Sequence, residues 1–205
     1  MKQLLLGAMS LLLSSGLVHA KPMDERDPVA IITQTSTNIL EILDGRRAEF
    51  TENPDLLADV VRENLLPMID VEYSARLILG RAGRGISTEQ LQAFSEAMSN
   101  VLISRYSDSL IEFKSEESMQ VMPMKGKNTD KLTRVRTRIK LENGSFVPLD
   151  FAFHVTEKGW KAFDVTVEGI SYVITFRNQI SPRVQAQGIE KVTAEIVAGN
   201  VKFDE

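Results

Sequence analysis

Residues 132–141 alternate in a way that only a strand can use. Val135, Thr137, Ile139 and Leu141 fall to one side and Arg134, Arg136, Arg138 and Lys140 to the other, because successive side chains of a strand point to opposite faces. Asn143-Gly144 follows, a pair that suits the positive φ angles of a two-residue hairpin turn. The return run carries Val147, Leu149, Phe151, Phe153 and Val155 on its apolar side. Glu157-Lys158-Gly159 then turns the chain into residues 160–167, where alternation puts Lys161, Phe163, Val165 and Val167 on one face and Trp160, Ala162, Asp164 and Thr166 on the other. Upstream, Met119, Val121 and Pro123 suggest a short edge strand, since proline cannot donate to a ladder. The pattern predicts a four-stranded antiparallel meander.

The last strand runs almost directly into a helix. Gly169 can take the dihedrals needed to leave the sheet, and Ser171 suits the N-cap of a helix that begins with residues 172–177. Asp164 is expected to be a hydrogen-bonded, buried polar residue, and Glu168 to support the turn. Ser181-Pro182 then reads as a helix restart and Gly188 as a break. Ile189, Val192 and Ile196 form a last amphipathic stretch, and residues 201–205 read as a loosely ordered tail.

The first half reads as helical. Asp27-Pro28 is a start signal, followed by Val29, Ile31, Ile32, Ile39, Ile42 and Leu43 up to a stop at Gly45. Asn53-Pro54 repeats the signal ahead of Leu57, Val60, Val61 and Leu65, with Pro67 ending or kinking that helix. Asp70 can cap a short helix that stops at Gly80, and residues 81–85 form a loop. Ser87 and Gln90 make a capping box. It opens a helix expected to reach about Glu112, with Leu91, Phe94, Met98, Val101, Leu102 and Tyr106 on one stripe. The fold class is therefore α+β, with helices about 27–112, sheet about 118–167 and further helices about 171–198 in a single domain.

Lys2, the apolar run of residues 4–13 and the small-residue site at Val18-His19-Ala20 read as a secretory signal peptide cleaved after Ala20. No other apolar run is long enough to span a bilayer, for which about 20 residues are needed. The absence of cysteine excludes disulfides, thiolate metal sites and cysteine nucleophiles. A net charge of -4 argues against nucleic acid and against stable attachment to anionic lipid surfaces. The basic row Arg134, Arg136, Arg138 and Lys140 is either a solvated sheet face or a docking surface for an acidic partner or headgroup.

Catalytic machinery is sparse. Beyond the leader the chain has one histidine, His154, on the strand face opposite Phe151 and Phe153. There is no nucleophile elbow, zinc-protease helix, P-loop or dinucleotide fingerprint. Asp164 and Glu168 could in principle share acid–base work. Neither a catalytic residue, a metal nor a cofactor is expected, and a binding protein is favoured by elimination.

Trp160, Lys161, Asp164, Val165, residues 167–171, Val173, Phe176 and Arg177 resemble the C-terminal signature of the toluene-tolerance family. Leu66-Pro67, Asp70, Leu79-Gly80, Glu89-Gln90, Phe94 and Tyr106 extend the resemblance upstream in the same order. It implies an NTF2-like (cystatin-like) scaffold whose curved sheet and helices enclose an apolar cavity. It further implies a monomeric periplasmic carrier, not an enzyme, that holds a glycerophospholipid by its acyl chains. The implied partners are an outer-membrane lipoprotein complex and an inner-membrane ABC transporter with its substrate-binding subunit, and the implied outcome is outer-membrane lipid asymmetry.

Within that expectation, face periodicity nominates Val135, Ile139, Phe151, Phe153, Phe163, Val165, Val167, Ile170, Val173 and Phe176 for the cavity wall, with Leu102 and Tyr106 from the long helix. Two other readings stay open. One is an NTF2-like enzyme using Asp164, His154 or Tyr106. The other is a ligand-free periplasmic interaction module that binds an acidic protein through its cationic strand face.

Overall fold

The alternating runs form the expected meander, with one strand more. The computed structural model describes residues 27–107, 119–124, 128–141 and 143–203. Strands β1 (Met119–Val121), β2 (Thr133–Lys140), β3 (Phe146–Thr156), β4 (Gly159–Val167) and β5 (Ile170–Ser171) pair antiparallel in chain order. The additional strand arises because Glu168 and Gly169 both adopt positive φ, 49° and 86°. Such a pair makes a tight turn, which folds Ile170 back onto Val167 before the next helix starts. A two-residue strand is too short to leave a periodic trace.

The facing expected for β4 is corrected by a bulge. Ala152 pairs with Asp164 but Phe153 pairs with Ala162, so Phe163 is the extra residue. An inserted residue resets which side of the sheet the flanking side chains occupy. Trp160 and Ala162 therefore share a face with Val165 and Val167, while Phe163 turns to the opposite side with Lys161 and His154. The backbone carbonyl of Phe163 accepts the Ser74 hydroxyl at 2.8 Å.

Helix α1 (Pro28–Glu52) starts where expected, with the Asp27 carboxylate accepting the Ala30 N–H at 2.8 Å. It does not stop at Gly45. It kinks at Arg46, φ -139°, and resumes. Ile31 and Ile32 of its first half pack on Val135, Phe151 and Phe153 of the sheet. Ile39, Leu43 and Phe50 pack on Leu57 and Val60 of α2 (Pro54–Asn64). Pro67 sits in a single 3-10 turn, Leu66–Met68, after which Ile69 bridges to Ala162 at the open edge of β4.

Helices α3 (Val71–Leu79), α4 (Thr88–Tyr106), α5 (Tyr172–Gln187) and α6 (Ile189–Val197) form a second core beside β4. Phe94, Met98, Phe176, Ile180, Val192 and Ile196 are at its centre. The Ser87–Gln90 capping box forms in full. The expected continuation of α4 towards Glu112 lies outside the described residues, as does the expected leader.

Two expectations near the C-terminus are overturned. Helix α5 runs through Pro182 without restarting. Ile180 and Val184 are buried on either side, and the Ser181 hydroxyl donates to the Leu79 carbonyl at 3.0 Å, so packing holds the turn where proline removes one hydrogen bond. Residues 201–203 are also held in place. Val201 and Phe203 are buried in the helical core, and Phe203 meets the Phe176 ring edge-on at 5.3 Å.

Candidate functional site

One face of the sheet collects six of the twelve side chains nominated from the sequence: Val135, Ile139, Phe151, Phe153, Val165 and Val167. Val135 lies opposite Phe151, which lies opposite Val165. Ile139 lies opposite Val147, and Leu149 opposite Val167. The face has two regimes. Val135, Phe151, Phe153 and Ala162 are buried beneath α1 and the Leu66–Met68 turn. Ile139, Val147, Leu149, Val165 and Val167 are only half-buried. Side chains that are apolar, adjacent and incompletely covered form a surface on which further apolar matter gains burial. Exposed Ile170 and Ile174, at 58% and 55%, lie just beyond the end of β4.

Phe163, Val173, Phe176 and Leu102 are not brought to this face. Phe163 meets Tyr73 edge-on at 5.3 Å and His154 at 5.2 Å on the other side of the sheet. Val173, Phe176 and Leu102 belong to the helical core. A helical stripe reveals that a residue is buried, not which element buries it, and here the neighbours are other helices. Tyr106 closes α4, and its side chain lies outside the described residues. Leu149 and Val147 belong with the half-buried row and were signalled by the same alternation that nominated Phe151.

The polar residues considered for chemistry have structural partners. The Asp164 carboxylate accepts the Ser171 hydroxyl at 2.6 Å and the Val173 N–H at 3.0 Å, tying the end of β4 to the start of α5. It is half-buried and hydrogen-bonded, and it supplies the charge that a helix N-terminus favours. Asp70 caps α3 through the Tyr73 N–H at 3.0 Å and holds His154 Nε2 at 2.8 Å. The His154 ring stacks on Tyr73 with centroids 4.4 Å apart. Asp70 and His154 thus clasp α3 to β3. Among the described residues no cluster of His, Cys, Asp or Glu could hold a metal ion, and no helix is long and apolar enough to cross a membrane.

Comparison with known proteins places this architecture. A phospholipid-binding protein from Ralstonia solanacearum, solved in complex with a phospholipid, matches with a TM-score of 0.72 at 20% identity, over 83% of this chain and 99% of that one. The intermembrane phospholipid transport system binding protein MlaC of Haemophilus influenzae is 22% identical over 192 residues, 92% of this chain and 89% of its own. The toluene tolerance protein ttg2D of Pseudomonas putida is 25% identical over 162 residues, 78% of this chain and 74% of its own. The family model described as MlaC protein matches residues 33–198, and with that span of the sheet and both helical groups the chain belongs to the MlaC family.

Proposed function

We propose that this protein is a soluble periplasmic carrier that binds a glycerophospholipid by its acyl chains and moves it between the outer and inner membranes. The observation that carries the reading is the half-buried apolar row Ile139, Val147, Leu149, Val165 and Val167 on the sheet face beside α1. Lipid tails cross water only when shielded, and each CH₂ buried contributes about 0.8 kcal/mol. A row of five apolar side chains on one sheet face offers such shielding, with Val135, Phe151 and Phe153 as the sealed floor. Family membership supports the same reading, as does the phospholipid bound by the similar Ralstonia solanacearum protein.

The carrier works by binding and release without chemistry, and it is not an enzyme. His154, Asp70 and Asp164 serve to join elements. Residues 1–20 act as the export signal. The donor and acceptor complexes are an outer-membrane lipoprotein complex and an inner-membrane ABC transporter with its substrate-binding subunit. Transfer between them maintains outer-membrane lipid asymmetry.

A vesicle assay tests transport. Donor vesicles carry a fluorescent phosphatidylethanolamine with a quencher, and acceptors carry neither. The purified protein is expected to accelerate dequenching in proportion to its concentration. A rate equal to that of vesicles alone would overturn the carrier reading.

A further inference from the structure

A cleft lies between α3 and α5, and its character is opposite to that of the sheet face. Arg76, Arg81 and Arg84 on one wall and Arg177, Asn178 and Gln185 on the other line a cleft of about 590 Å³. The cleft is built rather than incidental. Arg177 Nε donates to the Leu77 carbonyl, and Ser181 donates to the Leu79 carbonyl. Both carbonyls lie in the last turn of α3, where the helix's own i+4 bonds run out, so α5 braces the end of α3. The turn Gly80–Gly83 is equally fixed. Gly80 takes φ 55° and ψ -124°, and a Cβ on Gly83 would lie 2.9 Å from the Leu79 Cβ. Only glycine permits that conformation and that approach. Arg81 and Arg84 are therefore displayed from a rigid turn.

Arg177 is committed to the α3 carbonyl, but the other three guanidiniums are not. Arg76, Arg81 and Arg84 are exposed, and no carboxylate among the described residues pairs with them. Elsewhere Arg46, Arg47 and Arg62 are each held by an acid three residues away in the same helix. Arg76 stands in the last turn of α3, where a cation complements the helix dipole. That account does not extend to Arg81 and Arg84, which lie past the helix end. In a chain of net charge -4, three uncommitted arginines around one cleft are a local reversal of sign.

We propose that this cleft docks an acidic peptide segment of a partner protein. The planar guanidinium fork matches a carboxylate, and Asn178 and Gln185 offer amides to a peptide backbone. The arginines come from separate points along the wall, which suits several carboxylates in a row better than one compact anion. The carbonyl end of α3 faces this region, whereas a phosphate cradle draws on a helix N-terminus rich in N–H groups. A recess also fits a projecting segment and not the flat plane of a membrane. Exposed Ile174 lies one helical turn before Asn178 on α5, so an apolar anchor adjoins the charge. The segment is therefore acidic with an apolar residue at one end. This inference does not depend on whether the sheet face carries lipid.

The test titrates the full ¹⁵N-labelled protein with a synthetic peptide of glutamates ending in leucine. The Arg Nε–Hε signals are read by NMR and affinity by fluorescence anisotropy. Saturable shifts are expected at Arg76, Arg81 and Arg84. The R76E/R81E/R84E variant is expected to bind at least about tenfold more weakly, with added salt weakening the parent in the same direction. R76E opposes the α3 dipole and should lower the melting temperature of the triple variant slightly; R81Q/R84Q, exposed and past the helix end, should keep it and supplies the same comparison without charge reversal. The control R134E/K140E, on the sheet, is expected to bind like the parent. Several results would overturn the proposal: no saturable binding, affinity surviving both cleft variants, equal loss in the sheet control, or the same shifts from inorganic phosphate at equal concentration. Phosphatidylglycerol vesicles capturing the protein through these arginines while the peptide does not would overturn it in favour of a membrane contact.

Discussion

Aspartate at Val165 and at Val173 should separate the ligand face from the helical core. Both valines were nominated for the cavity wall, yet Val165 is half-buried on the sheet and Val173 is 8% exposed within the α3–α6 core. Burying a valine fully contributes about 1.5–3 kcal/mol. V173D loses most of that and also strands a carboxylate away from water, at a cost of several kcal/mol. The sum, about 5 kcal/mol or more, rivals the whole stability of a typical domain, about 5–15 kcal/mol. V165D loses roughly half of one valine, about 1 kcal/mol, because its open side keeps the carboxylate near water. An acyl chain laid over that carboxylate would have to desolvate it. At about 3 kcal/mol, that lowers lipid affinity by roughly a hundredfold. Urea unfolding followed by Trp160, the one tryptophan, reports stability. Mass spectrometry of extracted lipid reports occupancy. V165D is expected to be folded and empty, and V173D to be unfolded or aggregated. A V173D protein with parental stability, or a V165D protein with its full lipid complement, would refute the assignment.

Other perturbations probe single joints. D164A removes both hydrogen bonds at the β4–α5 junction and should destabilise by about 2–4 kcal/mol in urea melts, with D164N intermediate. F163A should lower stability by about 2 kcal/mol while leaving lipid occupancy unchanged, since the bulge turns that ring away from the half-buried apolar row proposed to hold lipid. The Ser87 hydroxyl, with help from the backbone, holds the Glu89 carboxyl below its ordinary pKa. In S87A the Glu89 signal should titrate nearer the ordinary value by NMR. A lowered carboxylate contributes stability that is present above its unfolded pKa and is lost as pH falls through the folded one, so any pH-dependent difference between parent and S87A should lie on the acid side.

Most elements of the fold were legible because their signals are local. Asp27, Asp70, Ser87 and Ser171 each accept the N–H of the residue three ahead. The alternation of residues 132–141 and 147–155 gave the pairing of β2 with β3. What could not be read depends on contacts distant in sequence. The bulge at Phe163, whose carbonyl accepts the Ser74 hydroxyl from α3, undoes a strict period of two. Pro182 reads as a break until the buried neighbours that hold its turn are in view. Val173 and Phe176 follow directly on a strand, and their place in one cluster with residues of α3, α4 and α6 depends on contacts that a local pattern does not carry. The arginine cleft left no sequence signal beyond a loop, since its walls lie about a hundred residues apart.

Extraction of the purified, detergent-free protein with organic solvent, followed by lipid mass spectrometry, tests the carrier reading most directly. Near-stoichiometric diacyl phospholipid is the expected result. A well-folded protein that yields no lipid would contradict it.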